Sequence, residues 1–279
     1  MKKTGSLLTL YFSATGNSKF IAELFSRSME AKCLSIEEDV NFTDEIKAHD
    51  TIAFCYPIYA SRVPRIMREF VAKYMGELTG KKVIIFATQV LFSGDGARVF
   101  TDMFWESTID VIYAEHFRMP NNVGNVPLLV KPSKKKIQRY IRKAEAKMIK
   151  VCDNIKSGVV VRRGFSRFSR LIGKIQGIPW QGDSKEDTNN RSKPGFGIVK
   201  RKFSVEKRAE KDVRIRKTCT ACGICIKICP MKNLEYAGDK IKQKQNCTLC
   251  YRCVNQCPKK AITTLFHMRP KWQYEGPKT

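Results

Sequence analysis

The stretch LLTLYFSATGNSKF, Leu7 to Phe20, runs from an apolar segment through a hydroxyl-rich, glycine-containing turn into an amphipathic segment. Leu7–Phe12 has the length of a buried strand, and Ser18–Met29 carries Phe20, Ile21, Leu24 and Phe25 on one stripe at helical spacing. Strand, tight loop and helix form the first unit of a doubly wound α/β sheet. A loop placed there offers backbone N–H groups, the hydroxyls of Ser13, Thr15 and Ser18 and the positive end of a helix dipole to one anion. That would be a phosphate site made without lysine, although in isolation the same letters read equally as a helix cap.

The unit repeats along the chain. Thr51–Tyr56 is a strand, and Pro64 sits in the first turn of a helix carrying Ile66, Phe70, Val71 and Tyr74. Val83–Thr88 is the next strand, with a loop from Gln89 to Gly96 and a helix presenting Val99, Phe100, Met103 and Phe104 to the core. Ile109–Ala114 is a further strand. Ser133 is the N-cap of a long basic helix with Ile137, Ile141, Ala144, Met148, Val151 and Ile155 on one face.

This α/β pattern ends near residue 157, and residues 158–210, broken by Gly, Pro, Ser and Asn, read as a basic linker. Over residues 156–217 there are 18 Lys or Arg against 6 Asp or Glu, a surplus of +12 out of the chain's net +26. Such charge favours acidic partners. Phe165, Phe168, Leu171, Ile172 and Ile175 are spaced for a short helix, expected to pack on its own protein and alternatively to meet a membrane surface.

Met1-Lys2-Lys3 ahead of an apolar run resembles the start of a secretory signal. Only six residues separate Ser6 from Ser13, short of the roughly 7–15 that a signal core needs, and no later window approaches the ~18 of a membrane span. Eight of the eleven cysteines crowd into residues 219–257 at metal-ligand spacing, which points to a reducing compartment. A soluble, cytoplasmic protein is expected.

Those eight cysteines form the strongest signal. CTACGICIKICP (219–230) and CTLCYRCVNQCP (247–258) repeat C-x2-C-x2-C-x3-C-P at an offset of 28 residues. Three thiolates on one turn can hold three corners of a cubane while backbone N–H groups face its sulfides. Zinc knuckles need only paired C-x2-C, so the third cysteine and the proline argue against zinc. Asn233–Tyr236 and Lys240–Lys242 flank Ala237-Gly238-Asp239 as a hairpin. Cys33, Cys55, Cys152 and the three histidines, His49, His116 and His267, read as structural.

Residues of about 212–266 resemble a bacterial-type ferredoxin with two 4Fe-4S clusters, and domain 211–279 is assigned on that basis. The resemblance implies crossed ligation, with Cys219, Cys222, Cys225 and Cys257 on one cluster and Cys247, Cys250, Cys253 and Cys229 on the other. Ile224, Ile226, Ile228, Leu249, Tyr251 and Val254 would form the apolar shell.

Residues 1–157 are similar to the flavodoxin family, whose phosphate loop is matched by Ser13, Thr15, Gly16 and Ser18. The whole order resembles the flavodoxin–ferredoxin fusions of bacteria and archaea, in which YPIYASRVP flanks the flavin and FRMPNN, Phe117 to Asn122, is a family-like stretch. The resemblance implies an α/β, flavodoxin-like doubly wound parallel sheet plus a small α+β ferredoxin-like domain. It also implies FMN, cradled by Ser13, Ala14, Thr15, Gly16, Asn17 and Ser18, lined by Pro57, Ile58, Tyr59 and Ala60, and met at its pyrimidine edge by Thr88, Gln89 and Gly94. Ser61 stands where family members often carry glycine.

The expected function is electron transfer between FMN and two 4Fe-4S clusters, a relay for a partner oxidoreductase docked through basic surfaces, without a catalytic acid, base or nucleophile. Two alternatives stay open: a ferredoxin-linked flavin reductase of a small acceptor, and a nucleic-acid-associated redox protein. The second rests on charge alone, because the C-x3-C-x2-C triplet of radical cluster enzymes is absent.

Overall fold

The structure, a computed structural model, describes residues 6–59, 62–90, 94–104, 108–126, 129–177, 210–265 and 267–277. Strand β1 (Leu7–Tyr11) leads into α1 (Asn17–Met29), β2 (Lys32–Ser35), α2 (Phe42–Lys47), β3 (Thr51–Pro57), α3 (Arg65–Lys73), the single turn α4 (Met75–Leu78) and β4 (Lys82–Gln89). A 3-10 turn (Arg98–Met103), β5 (Asp110–Arg118), α5 (Lys134–Lys156) and β6 (Val161–Arg162) complete a six-stranded sheet of order β2-β1-β3-β4-β5-β6. Every neighbouring pair is parallel. The order reverses at β1/β3, so the loops leaving these strands open into one crevice at their carboxyl ends.

Both faces of the sheet are covered, as parallel strands require. Phe20, Ile21 and Phe25 of α1 pack with Ile141, Met148 and Val151 of α5 on one face, where Phe25 meets Phe86 edge-on at 4.8 Å. On the other, Leu10, Phe54 and Ile85 of the strands meet Phe42, Met67 and Phe100. The Ser133 hydroxyl caps α5 by accepting from Lys136 N–H. Glu115, buried on β5, is held by Lys147 at 2.9 Å and Arg163 at 2.7 Å.

Three features differ from the sequence expectation. Edge strands β2 and β6 carry no apolar run, being four and two residues long. The helix expected over Val99–Phe104 is a six-residue 3-10 turn; Phe100, Met103 and Phe104 are buried as expected, with the Phe104 backbone already extended. The linker expected from residue 158 opens with a strand of the sheet, β6, ahead of the expected short helix, α6 (Arg167–Gly177); residues 178–209 lie outside the described residues. Among the described residues helix α6 is packed on one side only: Phe165 ahead of it meets the core, whereas Phe168, Leu171 and Ile175 are 67%, 54% and 52% exposed.

The second unit pairs β7 (Arg214–Ile215) with β10 (Ile262–Thr263) and β8 (Leu234–Ala237) with β9 (Lys240–Gln243), both antiparallel. Gly238 makes the expected hairpin turn at φ 62°. Short helices α7 (Ile224–Ile228) and α8 (Arg252–Gln256) follow the two cysteine loops. Segment 267–277 then runs back to the first unit, where Trp272 Nε1 donates to Leu129 O at 3.1 Å. No helix among the described residues is long and apolar enough to cross a membrane.

Candidate cofactor sites

Phe12, buried, carries β1 into the loop, and Gly16 takes φ 93° as the residue that starts α1. Its N–H donates to Ser13 Oγ at 3.1 Å, folding the loop on itself. The first turn of α1 holds no acidic residue, so its free N–H groups and dipole face the crevice unopposed. The buried hydroxyls of Ser18 and Thr88 share a hydrogen bond at 2.7 Å, locking the loop to the end of β4.

A cleft of about 200 Å³ opens here. Of the residues expected at FMN, it is walled by Ser13, Ala14, Thr15, Asn17 and Ser18, by Pro57, Ile58 and Tyr59, and by Thr88 and Gln89. Ala60, with Ser61, lies outside the described residues. Two expected positions do not line the cleft. Gly16 turns its Cα towards Gly276 and Pro277, and Gly94 rests on Ser169 and Gly173 of α6, whose backbone leaves no room for a side chain.

The remaining walls come from residues not expected there. Met119, Pro120, Asn122 and Val123 follow β5, and Asn122 Nδ2 donates to Thr15 Oγ1 at 3.1 Å. Asn17 Nδ2 donates to Pro120 O at 2.9 Å. Opposite them, Leu249, Tyr251 and Leu265 of the cysteine unit close the cleft. The FRMPNN stretch was the only local signal for the first group; the second is visible only through the fold.

FMN fits this donor set: a positive helix end for the phosphate, free of carboxylates, and an apolar, aromatic wall for the ring. Tyr59 supports the fit. Its hydroxyl is buried with no hydrogen-bond partner among the described residues, a costly state for the protein alone. Burial above all, then the neighbouring Cys250, pushes the phenol well above its usual range. Tyr59 and Arg62 exchange backbone hydrogen bonds at 3.1 and 3.0 Å, pinning the turn that carries the ring.

The eight motif cysteines gather into two sets. Cys219, Cys222, Cys225 and Cys257 wall one small cavity, and Cys229, Cys247, Cys250 and Cys253 wall another. Among the described residues no three metal-binding side chains converge as a single ion would require; each set surrounds a space instead, as the corners of a cubane would. The loops obey the sequence repeat atom by atom. Ala221 and Leu249, Gly223 and Tyr251, and Lys232 and Lys260 take matching left-handed conformations at φ 49° and 57°, 74° and 61°, and 48° and 49°.

Matching N–H groups donate to sulfur: Ala221 to Cys219 and Leu249 to Cys247, both at 3.4 Å, then Asn233 to Cys229 at 3.2 Å and Ala261 to Cys257 at 3.3 Å. Such donors favour an anionic cluster. As free thiols these groups are poor acids, since burial pushes Cys225 and Cys250 up to about 11 and Cys247 to about 12. Iron binding would therefore displace protons. Cys250 is packed within the core of the sheet unit itself, whereas Cys222 is exposed.

Arg252 joins the two sites. Its Nη2 donates to Ser13 O at 2.7 Å, Nε to Ala14 O at 3.2 Å and Nη1 to Ile228 O at 3.0 Å, while Glu37 takes both Nη groups. Asn255 Nδ2 donates to Asn122 O at 2.9 Å, and Tyr274 Oη to Asn17 Oδ1 at 2.7 Å.

No curated protein matches the chain. Among solved structures it is similar to oxidised Flavodoxin 2 from Bacillus cereus, at 17% identity over 53% of this chain and 99% of that one, with a TM-score of 0.38. A flavodoxin from the domain Archaea matches at 18% identity over 52% and 98% with a TM-score of 0.32. A flavoprotein in complex with FMN from Lactobacillus acidophilus NCFM matches at 14% over 40% and 93% with a TM-score of 0.33. Residues 8–127 match the flavodoxin domain family and residues 211–258 the 4Fe-4S dicluster domain family. The first implies FMN and the second iron–sulfur clusters, and together they indicate electron transfer. The chain joins a flavodoxin domain to a 4Fe-4S dicluster domain.

Proposed function

We propose that the protein relays electrons between FMN in the crevice at β1/β3 and two 4Fe-4S clusters, in the order flavin, second cluster (Cys229, Cys247, Cys250, Cys253), first cluster (Cys219, Cys222, Cys225, Cys257), external partner. One observation carries the reading: Tyr251 walls both the cleft and the cavity of the second cysteine set. FMN exchanges one or two electrons and a cluster one, so the pair matches a two-electron to a one-electron carrier.

The protein's own part is placement and exclusion of water. Tyr59, Tyr251 and Leu249 supply apolar cover between the sites, which keeps solvent from either cofactor and tunes potential. The domain division 1–157, 158–210 and 211–279 serves this role, with the sheet extended by β6 into the second segment.

Partner docking is assigned to the first set. Cys222 is exposed there beside Ile224, 39% exposed, and the same loops carry exposed Lys217, Lys227 and Lys259. A small apolar contact ringed by cations suits an acidic redox protein, and its association weakens as salt rises. Anaerobic titration of the holoprotein with dithionite tests the proposal: both flavin and iron–sulfur absorbance bleach, and the absence of either chromophore would overturn it.

A further inference from the structure

The two cysteine loops are copies, CTACGIC at 219–225 and CTLCYRC at 247–253, and they differ at three positions. Ala221 becomes Leu249, Gly223 becomes Tyr251 and Ile224 becomes Arg252. All three substituted residues face the flavodoxin unit. Leu249 and Tyr251 wall the FMN cleft, and Arg252 grips the Ser13 and Ala14 carbonyls of the phosphate loop at 2.7 and 3.2 Å.

None of the three is required by the fold of the loop. Gly223 shows what its left-handed position prefers, at φ 74°, and a Cβ there would stand 2.3 Å from the Tyr236 hydroxyl. Tyr251 accepts the same strained conformation at φ 61° with a full side chain, 5% exposed. Strain of this kind persists where the surroundings use the residue. Ile224 opens the corresponding helix without any polar group, whereas Arg252 spends its donors on Ser13, Ala14, Ile228 and Glu37. By holding the two carbonyls, Arg252 fixes these two loop peptides, whose N–H groups in trans geometry point away from it.

We propose that the second cysteine loop is one wall of the FMN site, so that flavin affinity depends on this loop and on the iron that shapes it. Leu249 and Tyr251 are binding residues for the isoalloxazine, and Arg252 is a positioning residue for the phosphate loop. Coupling of this kind is reciprocal: flavin also steadies the second cluster against loss. The inference rests on the FMN reading above.

The test replaces the second loop's three residues by their counterparts, Leu249→Ala, Tyr251→Gly and Arg252→Ile, a loop chemistry the same chain already uses around its other cysteine set. FMN dissociation constants come from quenching of flavin fluorescence, and iron and sulfide are assayed on the same samples. The expected result is at least a hundredfold weaker FMN binding with iron content unchanged. FMN affinity within twofold of the parent would overturn the inference. Should the triple variant lose iron, Arg252→Gln, which removes no sulfur ligand, decides the matter: tenfold weaker FMN supports the clamp, and unchanged affinity refutes it. A parent protein that binds no FMN at all would instead refute the flavin reading itself.

Discussion

The hydroxyl of Tyr274 donates to Oδ1 of Asn17 at 2.7 Å, tying segment 267–277 to the first turn of α1 across 257 positions of sequence. The same asparagine anchors the loop after β5 through Pro120 O. The pair therefore fixes a phosphate-loop residue from two sides. Tyr274→Phe removes one hydrogen bond of roughly 1 kcal/mol, so FMN binding weakens about fivefold, measured by fluorescence titration, with iron content unchanged.

Gly16→Ala tests the backbone of the same loop. Gly16 sits at φ 93°, and a Cβ there would lie 3.3 Å from Pro277 Cδ and 3.4 Å from Gly276 Cα. A left-handed alanine costs about 1 kcal/mol before any contact is counted. The variant loses FMN affinity and its thermal midpoint falls by a few degrees, while its iron–sulfur spectrum is retained.

Crossed ligation is tested by paired substitutions. Cys219→Ser with Cys257→Ser disables one cluster and leaves roughly four irons per chain of eight. Cys247→Ser with Cys257→Ser strikes both clusters and leaves almost none. Iron counts in the reverse pattern would show that each run serves its own cluster.

Much of this was legible because local chemistry and fold agree. The apolar runs of β1, β3 and β4, the stripe of α1 and the Ser133 cap of α5 each carry a short-range signal. Strands β2 and β6 do not, since KCLS and VR have too few residues to show a period. Three walls of the cleft follow from strand ends at the switch point. The wall from the cysteine unit did not: Leu249 and Tyr251 read as cluster shell, because nothing local reveals that Arg252 lies against Ser13, 239 positions away. Gly94 does not line the cleft for the same reason, its neighbours coming from α6 within the expected linker.

His116 sets a pH dependence of stability. Its ring is 4% exposed, and Nε2 accepts from Ala97 N–H at 3.0 Å, a role only the neutral imidazole can fill. Burial first, then Lys147 and Arg163 against Glu115, lowers it from 6.5 to about 4. Between these values the unfolded chain binds the extra proton, so stability is full above pH 6.5, falls as pH drops towards 4 and is flat in this term below. The loss approaches about 3 kcal/mol. Thermal melts of His116→Gln across pH 4–7 show a shallower slope than the parent; an equal slope would assign the effect elsewhere.

The relay itself is tested most directly by its kinetics. Rapid mixing of oxidised holoprotein with a one-electron reductant that reaches the exposed first cluster, followed at flavin and cluster wavelengths, separates internal from intermolecular transfer. The relay predicts cluster bleaching first, then flavin reduction with a first-order rate constant that stays the same over a tenfold range of protein concentration. A flavin phase whose rate rises in proportion to protein concentration would contradict it.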